Sequence, residues 1–233
     1  MTSTRHSPAI RIHDVRKVYP TPDGGAVTAL ELDALQIGRG EADDLCGPSG
    51  SGKTTFLHVV AGITPVSSGE VWTGDNAVHS LPEPARDGLR GWEIGIVFQT
   101  FNLQTFPHQH ATDLLARVGL GDRIGHRPDQ LISGQQKCLA IARALANGPS
   151  VVLADEPTAH VDETSASAVL DLLQSECAGR DAIRAVPTHD PSVHVRFSWV
   201  VPLSRPVVPS SRRTDTWLIA CAEPQWPVIV SRR

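Results

Sequence analysis

The sequence contains one octapeptide with a defined chemical pattern, Gly47-Pro48-Ser49-Gly50-Ser51-Gly52-Lys53-Thr54. It matches G-x-x-x-x-G-K-[ST] at every fixed position. Glycines let the backbone curl so that several N–H groups converge on a phosphate, and a helix starting near Lys53 adds its positive N-terminal end. In this pattern the lysine reaches the β- and γ-phosphates, and the hydroxyl of Thr54 holds Mg²⁺. A helix-like apolar run, residues 56–61, follows where the pattern requires it, so a phosphate-binding loop is favoured over a chance match.

Composition excludes several classes of protein. The chain has 233 residues, 40% hydrophobic and 20% charged, which suits one α/β domain with a buried core. The formal net charge of −4 gives no bulk electrostatic reason to bind nucleic acid. The four cysteines form no C-x-x-C pair, which argues against a zinc site or a disulfide framework and favours a reducing cytosol.

The sequence also bears on membranes. Its N-terminus lacks the apolar core of a signal peptide, and no apolar run approaches the roughly 20 residues that span a bilayer. We therefore expect a cytoplasmic protein whose contact with a membrane comes through a partner.

Hydrophobic periodicity predicts alternating strands and helices. Strands are expected at 9–18, 27–37, 41–46, 68–71, 94–98, 151–154, 182–186 and 199–203, and helices at 56–61, 113–118, 135–146 and 164–177. A Pro-rich loop is expected around Pro82 and Pro84. Two carboxylates, Asp43 and Asp44, interrupt the strand before the phosphate loop, so either this strand starts at Leu45 or this part of the fold is weakened.

Two further features point to a site. Asp155 and Glu156 follow the apolar strand 151–154, and ligands of open α/β sheets bind at the carboxyl ends of strands. Tyr19, the one tyrosine, ends the first strand before a turn, and on the residues alone we interpret it as an aromatic packed on that turn.

The motifs, in their order, resemble the nucleotide-binding subunit of an ABC transporter. The Walker A loop is 47–54, the Q-loop 97–99, the signature 131–135, the Walker B segment 151–156, the D-loop 159–162 and the switch-histidine loop 188–190. Segments 98–103 and 119–123 are most similar to the lipoprotein-release and macrolide-export branch. The resemblance implies an α/β P-loop NTPase over residues 9–203. Its core would be a mainly parallel sheet, with an N-terminal antiparallel β part and a shortened helical subdomain. Residues 1–8 would be loose, and the Pro-rich stretch 204–233 a tail.

The resemblance implies a role for each residue of the site. ATP would be bound by Tyr19, Gly47, Pro48, Ser49, Gly50, Ser51, Gly52, Lys53, Thr54 and Thr55, and by Ser133, Gly134 and Gln135 of a second subunit. Tyr19 would stack on adenine. Mg²⁺ would be held by Thr54, Gln99 and Asp155. The catalytic residues would be Glu156, which orients or deprotonates water, Gln99, which senses the γ-phosphate, and His189, which contacts it. Two subunits, identical or different, would dimerise head to tail beside a membrane permease.

The signature motif departs from the family pattern. Ile132 replaces the serine whose hydroxyl reaches the γ-phosphate, and Ser133 replaces a glycine. The first hypothesis is an ATPase subunit that drives a separate permease, and the alternative is a nucleotide-binding paralogue that is weakly active, vestigial or regulatory. A soluble ABC ATPase of DNA repair or cofactor assembly is a third, and the acidic charge and the absence of inserted zinc or coiled-coil segments argue against its repair type.

Overall fold

The structure is a computed structural model that describes residues 10–38, 42–97, 109–159, 161–178, 182–186 and 199–203. Gln99, His189 and the predicted end segments 1–8 and 204–233 lie outside the described residues. The strands are β1 (Ile10–Pro20), β2 (Ala26–Ile37), β3 (Ala42–Cys46), β4 (Ser68–Thr73), β5 (Asn76–Ala77), β6 (Ile94–Val97), β7 (Val151–Ala154), β8 (Ile183–Val186) and β9 (Trp199–Pro202). The helices are α1 (Lys53–Val60), α2 (Glu83–Trp92), α3 (Gln109–Arg117), α4 (Ser133–Leu145) and α5 (Glu163–Ala178).

The strands form two sheets. An antiparallel sheet has the order β2-β1-β4-β5, and a five-stranded sheet has the order β6-β7-β8-β3-β9. Every described pairing in the second sheet is parallel. Among the described residues, the predicted mainly parallel core with an N-terminal antiparallel part is therefore confirmed.

The parallel sheet is covered on both faces, and β7 shows this residue by residue. Val151 and Leu153 belong to a core shared with α1 and the antiparallel sheet, whereas Val152 and Ala154 belong to a core shared with α3, α4 and α5. Successive side chains of a strand point to opposite faces. A strand buried on both faces must be apolar throughout, which is why this segment is recognisable in the sequence.

Two local predictions are wrong. Pro82 and Pro84 do not mark a loop: Pro82 is the N-cap of α2, and Pro84 lies in its first turn, where no backbone N–H is needed. The helix expected at 113–118 begins earlier, at Gln109.

The strand expected at 41–46 is confirmed as β3. Of the two alternatives for its acidic residues, the late start at Leu45 does not hold, because β3 begins at Ala42 and its backbone pairs with β8 on one side and β9 on the other.

In the described ranges, no helix combines the length and the apolar character that a bilayer span needs.

Candidate nucleotide-binding site

The phosphate loop connects β3 to α1 and is closed by short backbone bonds. The Ser51 amide donates to the Pro48 carbonyl at 3.1 Å, and the Phe56 amide donates to the Gly52 carbonyl at 2.7 Å, starting the helix. Gly52 has φ of +94°, and a Cβ there would lie 2.4 Å from the carbonyl oxygen of Ala29 in β2. Only glycine fits this conformation and this distance, so the loop is held tightly against the antiparallel sheet.

The polar groups of the loop suit a phosphate. Lys53 folds back over the loop and donates from Nζ to the Gly47 carbonyl at 2.6 Å and to the Pro48 carbonyl at 3.1 Å. The Ser51 hydroxyl is buried, with the residue 1% exposed, and among the described residues it has no hydrogen-bond partner. An unpartnered buried hydroxyl beside a lysine and a helix N-terminus fits a loop built to receive anionic oxygens.

Thr54 and Asp155 meet although they lie far apart in sequence. The Thr54 hydroxyl donates to Asp155 Oδ2 at 2.9 Å. Asp155 follows β7 directly, its amide donates to the Val97 carbonyl at the end of β6, and its side chain is held at 6% exposure. Burial raises the pKa of Asp155, and the hydrogen bond from Thr54 opposes that rise. A hydroxyl and a carboxylate are the oxygen ligands that Mg²⁺ prefers, so this pair fits the metal of a nucleotide site.

Glu156 is the next residue after Asp155 and is less buried. Its φ is +47°, an uncommon conformation for a residue with a side chain. Its carbonyl accepts from the Ala159 amide at 3.2 Å, which closes the turn after β7. The strand end thus carries one buried carboxylate and one more accessible carboxylate, side by side.

Tyr19 lies near the end of β1 and is 38% exposed. It pairs with Val27 of β2, two residues before the Ala29 carbonyl that borders Gly52. Lys17 places its Nζ 4.8 Å from the centroid of the Tyr19 ring and donates to the Pro65 carbonyl at 2.8 Å. The ring is therefore held from one side by a cation. Its stacking on adenine stays a prediction.

The signature residues start α4 on the far face of the sheet. Ile132 is the N-cap and is 71% exposed, and its amide donates to the side-chain oxygen of Gln135 at 3.3 Å. Ser133 and Gly134 are in the first turn, and Ser133 is exposed. Because α4 shares its core with α3 and α5, whereas α1 packs on the opposite face, the signature and the phosphate loop belong to separate layers.

One residue near the site was not predicted. Lys137 is 2% exposed, and its Nζ donates to the Asp155 carbonyl at 3.3 Å. It lies one helical turn before Ile141 and two turns before Leu145, both buried. The sequence does contain a signal for this buried lysine, because Lys137 precedes two apolar residues of the same helix by four and eight positions and so shares their face.

Fold and site together define an ATP-binding cassette, and the family comparison agrees. Residues 30–159 match the family model described as ABC transporter, which is more than half of the chain. The chain therefore belongs to the ABC transporter family.

The relatives include two kinds of protein. The chain is 36% identical over 229 residues to the macrolide export ATP-binding/permease protein MacB 1/2 of Paracoccus denitrificans, covering 89% of this chain and 34% of the relative. It is 34% identical over 209 residues to the lipoprotein-releasing system ATP-binding protein LolD of Granulibacter bethesdensis, covering 81% of this chain and 91% of the relative. The chain thus spans about a third of the length of the MacB relatives it matches.

Solved structures support the same assignment. The ATP-binding cassette MJ0796, in a dimeric post-hydrolysis state bound to ADP and Pi, is 29% identical, with a TM-score of 0.77 over 84% of this chain and 94% of that chain. The predicted P-loop NTPase fold of the ABC type, and the similarity to the lipoprotein-release and macrolide-export branch, are confirmed.

Proposed function

We propose that this chain hydrolyses MgATP in a head-to-tail dimer and thereby drives a separate membrane permease, lying at the cytoplasmic face of the membrane. The observation that carries the proposal is the hydrogen bond between Thr54 and Asp155 beside Glu156. It joins the end of the phosphate loop to the carboxylate pair at the end of β7, the arrangement that phosphoryl transfer needs.

Binding is assigned to the loop and to Tyr19. The amides of residues 47–54 and the N-terminus of α1 would face the phosphates, and Lys53 would exchange its two carbonyl partners for the β- and γ-phosphate oxygens. Thr55, also in α1, would extend this cradle. Tyr19, already backed by Lys17, would present its free face to adenine.

The metal is assigned to Thr54 and Asp155, with Gln99, outside the described residues, as the third protein ligand that the family resemblance implies. Mg²⁺ would neutralise charge that develops on the phosphate oxygens. The protein's own contribution is to hold the Thr54 hydroxyl oxygen and Asp155 Oδ2, the two described ligand atoms of this proposal, 2.9 Å apart. Burial of Asp155 limits the directions from which its carboxylate can be approached.

The chemical step is assigned to Glu156. As the more accessible of the two carboxylates, it is placed to accept a proton from the attacking water or to orient that water. His189, outside the described residues, would contact the γ-phosphate. Because most of this catalysis is positioning and charge stabilisation, the backbone geometry around residue 156 matters as much as its carboxylate.

A second subunit completes the site in this proposal. The signature residues Ser133, Gly134 and Gln135 lie in another layer from the phosphate loop, which supports their use by a partner's nucleotide. The similar cassette MJ0796 is described as dimeric. The MacB relatives are named as ATP-binding/permease proteins, and the LolD relatives as ATP-binding proteins of a releasing system, which supports a separate permease partner for this chain.

One observation favours a second candidate function, a cassette that binds nucleotide but turns over slowly or serves as a regulatory partner. Ile132 places an exposed apolar side chain, with no hydrogen-bonding group, at the N-cap of the signature helix. In the family pattern this position carries a hydroxyl.

The test is Glu156→Gln, compared with the parent and with Glu70→Gln as a matched control. Glu70 is exposed on β4 in the other sheet, so the control makes the same chemical change away from the site. We expect Glu156→Gln to bind MgATP normally but to release phosphate at least about a hundredfold more slowly, because an amide cannot act as a base.

Calorimetry measures the affinity and a phosphate-release assay measures the turnover. Hydrolysis by Glu156→Gln at the parent rate contradicts the role of Glu156. A parent that binds MgATP but shows no hydrolysis, with or without a permease, favours the second candidate. A folded parent that binds no MgATP rules out both candidates.

A further inference from the structure

Helix α4 buries a lysine behind the end of β7. Lys137 is 2% exposed and lies on the same buried face as Ile141 and Leu145. Its Nζ reaches past the end of the strand to the Asp155 carbonyl at 3.3 Å. Burying a cation costs free energy unless polar groups compensate it, so a lysine here calls for a specific reason.

The surroundings of Lys137 supply compensating charge. Burial lowers the pKa of Lys137, and the carboxylates of Asp155 and Glu156 oppose that shift. Both carboxylates are residues of the proposed hydrolytic site. The lysine therefore lies behind the acidic pair, on the side away from the phosphate loop, since α4 covers the sheet face opposite α1.

The backbone of Glu156 needs support from outside. Its φ of +47° is sterically unfavourable for a residue with a Cβ. The next residue, Pro157, further restricts the backbone conformations that Glu156 can adopt. Such conformations persist where neighbouring contacts determine them, and they cluster at functional sites. The angle φ describes rotation between Glu156 and the peptide group that precedes it, whose carbonyl is the one that Lys137 holds.

The peptide groups around Glu156 are each anchored. The Asp155 amide donates to the Val97 carbonyl at 2.9 Å, the Asp155 carbonyl accepts from Lys137, and the Glu156 carbonyl accepts from the Ala159 amide. Two of these anchors are backbone bonds of ordinary kind. The bond from Lys137 is a charge-assisted bond from a side chain, so it is the anchor that a point substitution can remove.

We propose that Lys137 is a positioning residue, which holds the Asp155–Glu156 peptide so that the Glu156 carboxylate faces the attacking water. The inference rests on the proposed function, because it concerns the efficiency of that hydrolysis. Lys137 acts through the backbone and through its charge behind the carboxylate pair, and it touches neither nucleotide nor metal.

The first experiment compares Lys137→Met, which keeps the length but removes donor and charge, with Lys137→Arg, which keeps both. Cys138→Ala is the matched control, because Cys138 is the equally buried neighbour on α4. We expect kcat for MgATP to fall by about ten- to a hundredfold in Lys137→Met, with KM within about twofold of the parent, since misplacing a catalytic group by about 1 Å has effects of this size. Lys137→Arg should recover most of kcat, and Cys138→Ala should lower the melting temperature while kcat stays unchanged.

Equal kcat in Lys137→Met and the parent overturns the proposal. So does a fall in kcat that Cys138→Ala reproduces, because the effect then follows from loosening α4. If Lys137→Met does not fold, Lys137→Gln, which has a shorter neutral donor, takes its place with the same expected direction.

The second experiment does not depend on hydrolysis. Crystal structures of the parent, Lys137→Met and Lys137→Arg report φ of residue 156 directly. We expect a value near +47° in the parent and Lys137→Arg, and a negative value in Lys137→Met. A positive φ retained without Lys137 overturns the inference. If the parent hydrolyses no ATP, the proposed catalytic function fails on the first assay, while this measurement still decides whether Lys137 holds the peptide.

Discussion

Ile132→Ser tests whether the signature motif limits the rate at which this cassette hydrolyses ATP. Ile132 is the N-cap of α4, with φ of −71° and ψ of 160°, and its side chain is 71% exposed. Its backbone already has the extended conformation that N-cap residues adopt, but its side chain cannot accept a hydrogen bond from the first turn. A serine here is therefore compatible with the backbone as it stands.

The expected change in stability follows from the cap. Serine at an N-cap stabilises the folded protein by about 1 kcal/mol relative to an apolar residue. Removing the Ile132 side chain costs little hydrophobic stabilisation, because most of it is exposed to solvent. For a chain of this size about 1 kcal/mol corresponds to a rise of roughly 2–4 °C in the melting temperature.

The expected change in turnover follows from the hydroxyl. If it donates to a phosphate oxygen on the partner subunit, one hydrogen bond to a charged group contributes about 1.5–3 kcal/mol. A bond made only in the transition state then raises kcat by roughly ten- to a hundredfold. Adding Ser133→Gly should let the backbone approach the phosphate more closely and increase the gain.

The assay is steady-state phosphate release at saturating MgATP. Ile132→Ala is the matched control, because it removes the apolar bulk without adding a cap or a hydroxyl. A folded serine variant that melts higher than the alanine variant but turns over no faster refutes the reasoning, since the cap has then formed without any catalytic gain. The cause of slow hydrolysis would then lie outside the signature motif, and the second candidate function, a nucleotide-binding paralogue with little turnover, would be favoured.

Two further predictions concern Lys53 and Cys138. Lys53→Ala should weaken MgATP binding by at least about tenfold in calorimetry, because the lysine charge faces the phosphates, and unchanged affinity in a folded variant would contradict the phosphate-loop assignment. Burial raises the pKa of the Cys138 thiol to about 11 from its ordinary value of 9.0. Cys138 in the folded protein should therefore resist alkylation at neutral pH and react only after urea unfolds the chain. Peptide mass spectrometry measures the alkylated fraction. Because the folded pKa is the higher one, ionisation of this thiol in the unfolded chain should lower stability as pH rises from about 9 to about 11. Rapid alkylation of the folded protein at neutral pH would count against that burial.

Several elements were predictable from the sequence because their signals are local. The strand expected at 151–154 is β7 with the same bounds, since a strand covered on both faces must be apolar at every position. The helix expected to start near Lys53 does start there, because the loop pattern specifies its N-terminus. The resemblance of the ordered motifs to the ABC family supplied the site roles, which composition and periodicity do not contain.

Other features could not be predicted from a local sequence pattern, because they depend on where a residue lies in its helix or on contacts with distant parts of the chain. Proline predicts a loop in general, yet at Pro82 and Pro84 it begins a helix, because the first turn needs no backbone donors. Lys137 stands out in the sequence only as a charge on an apolar helical stripe, and its partner is the Asp155 carbonyl, 18 residues further along the chain.

By itself the sequence determined the phosphate loop, the apolar strand before Asp155 and the family of the chain. The tertiary structure alone decided that the Thr54 hydroxyl and Asp155 Oδ2, 101 residues apart, lie at hydrogen-bond distance. That contact depends on the strand order β6-β7-β8-β3-β9, which differs from the order along the chain. Strand order is set by which arrangement buries both faces of the sheet at once, and that is a property of the whole packed core rather than of any one segment.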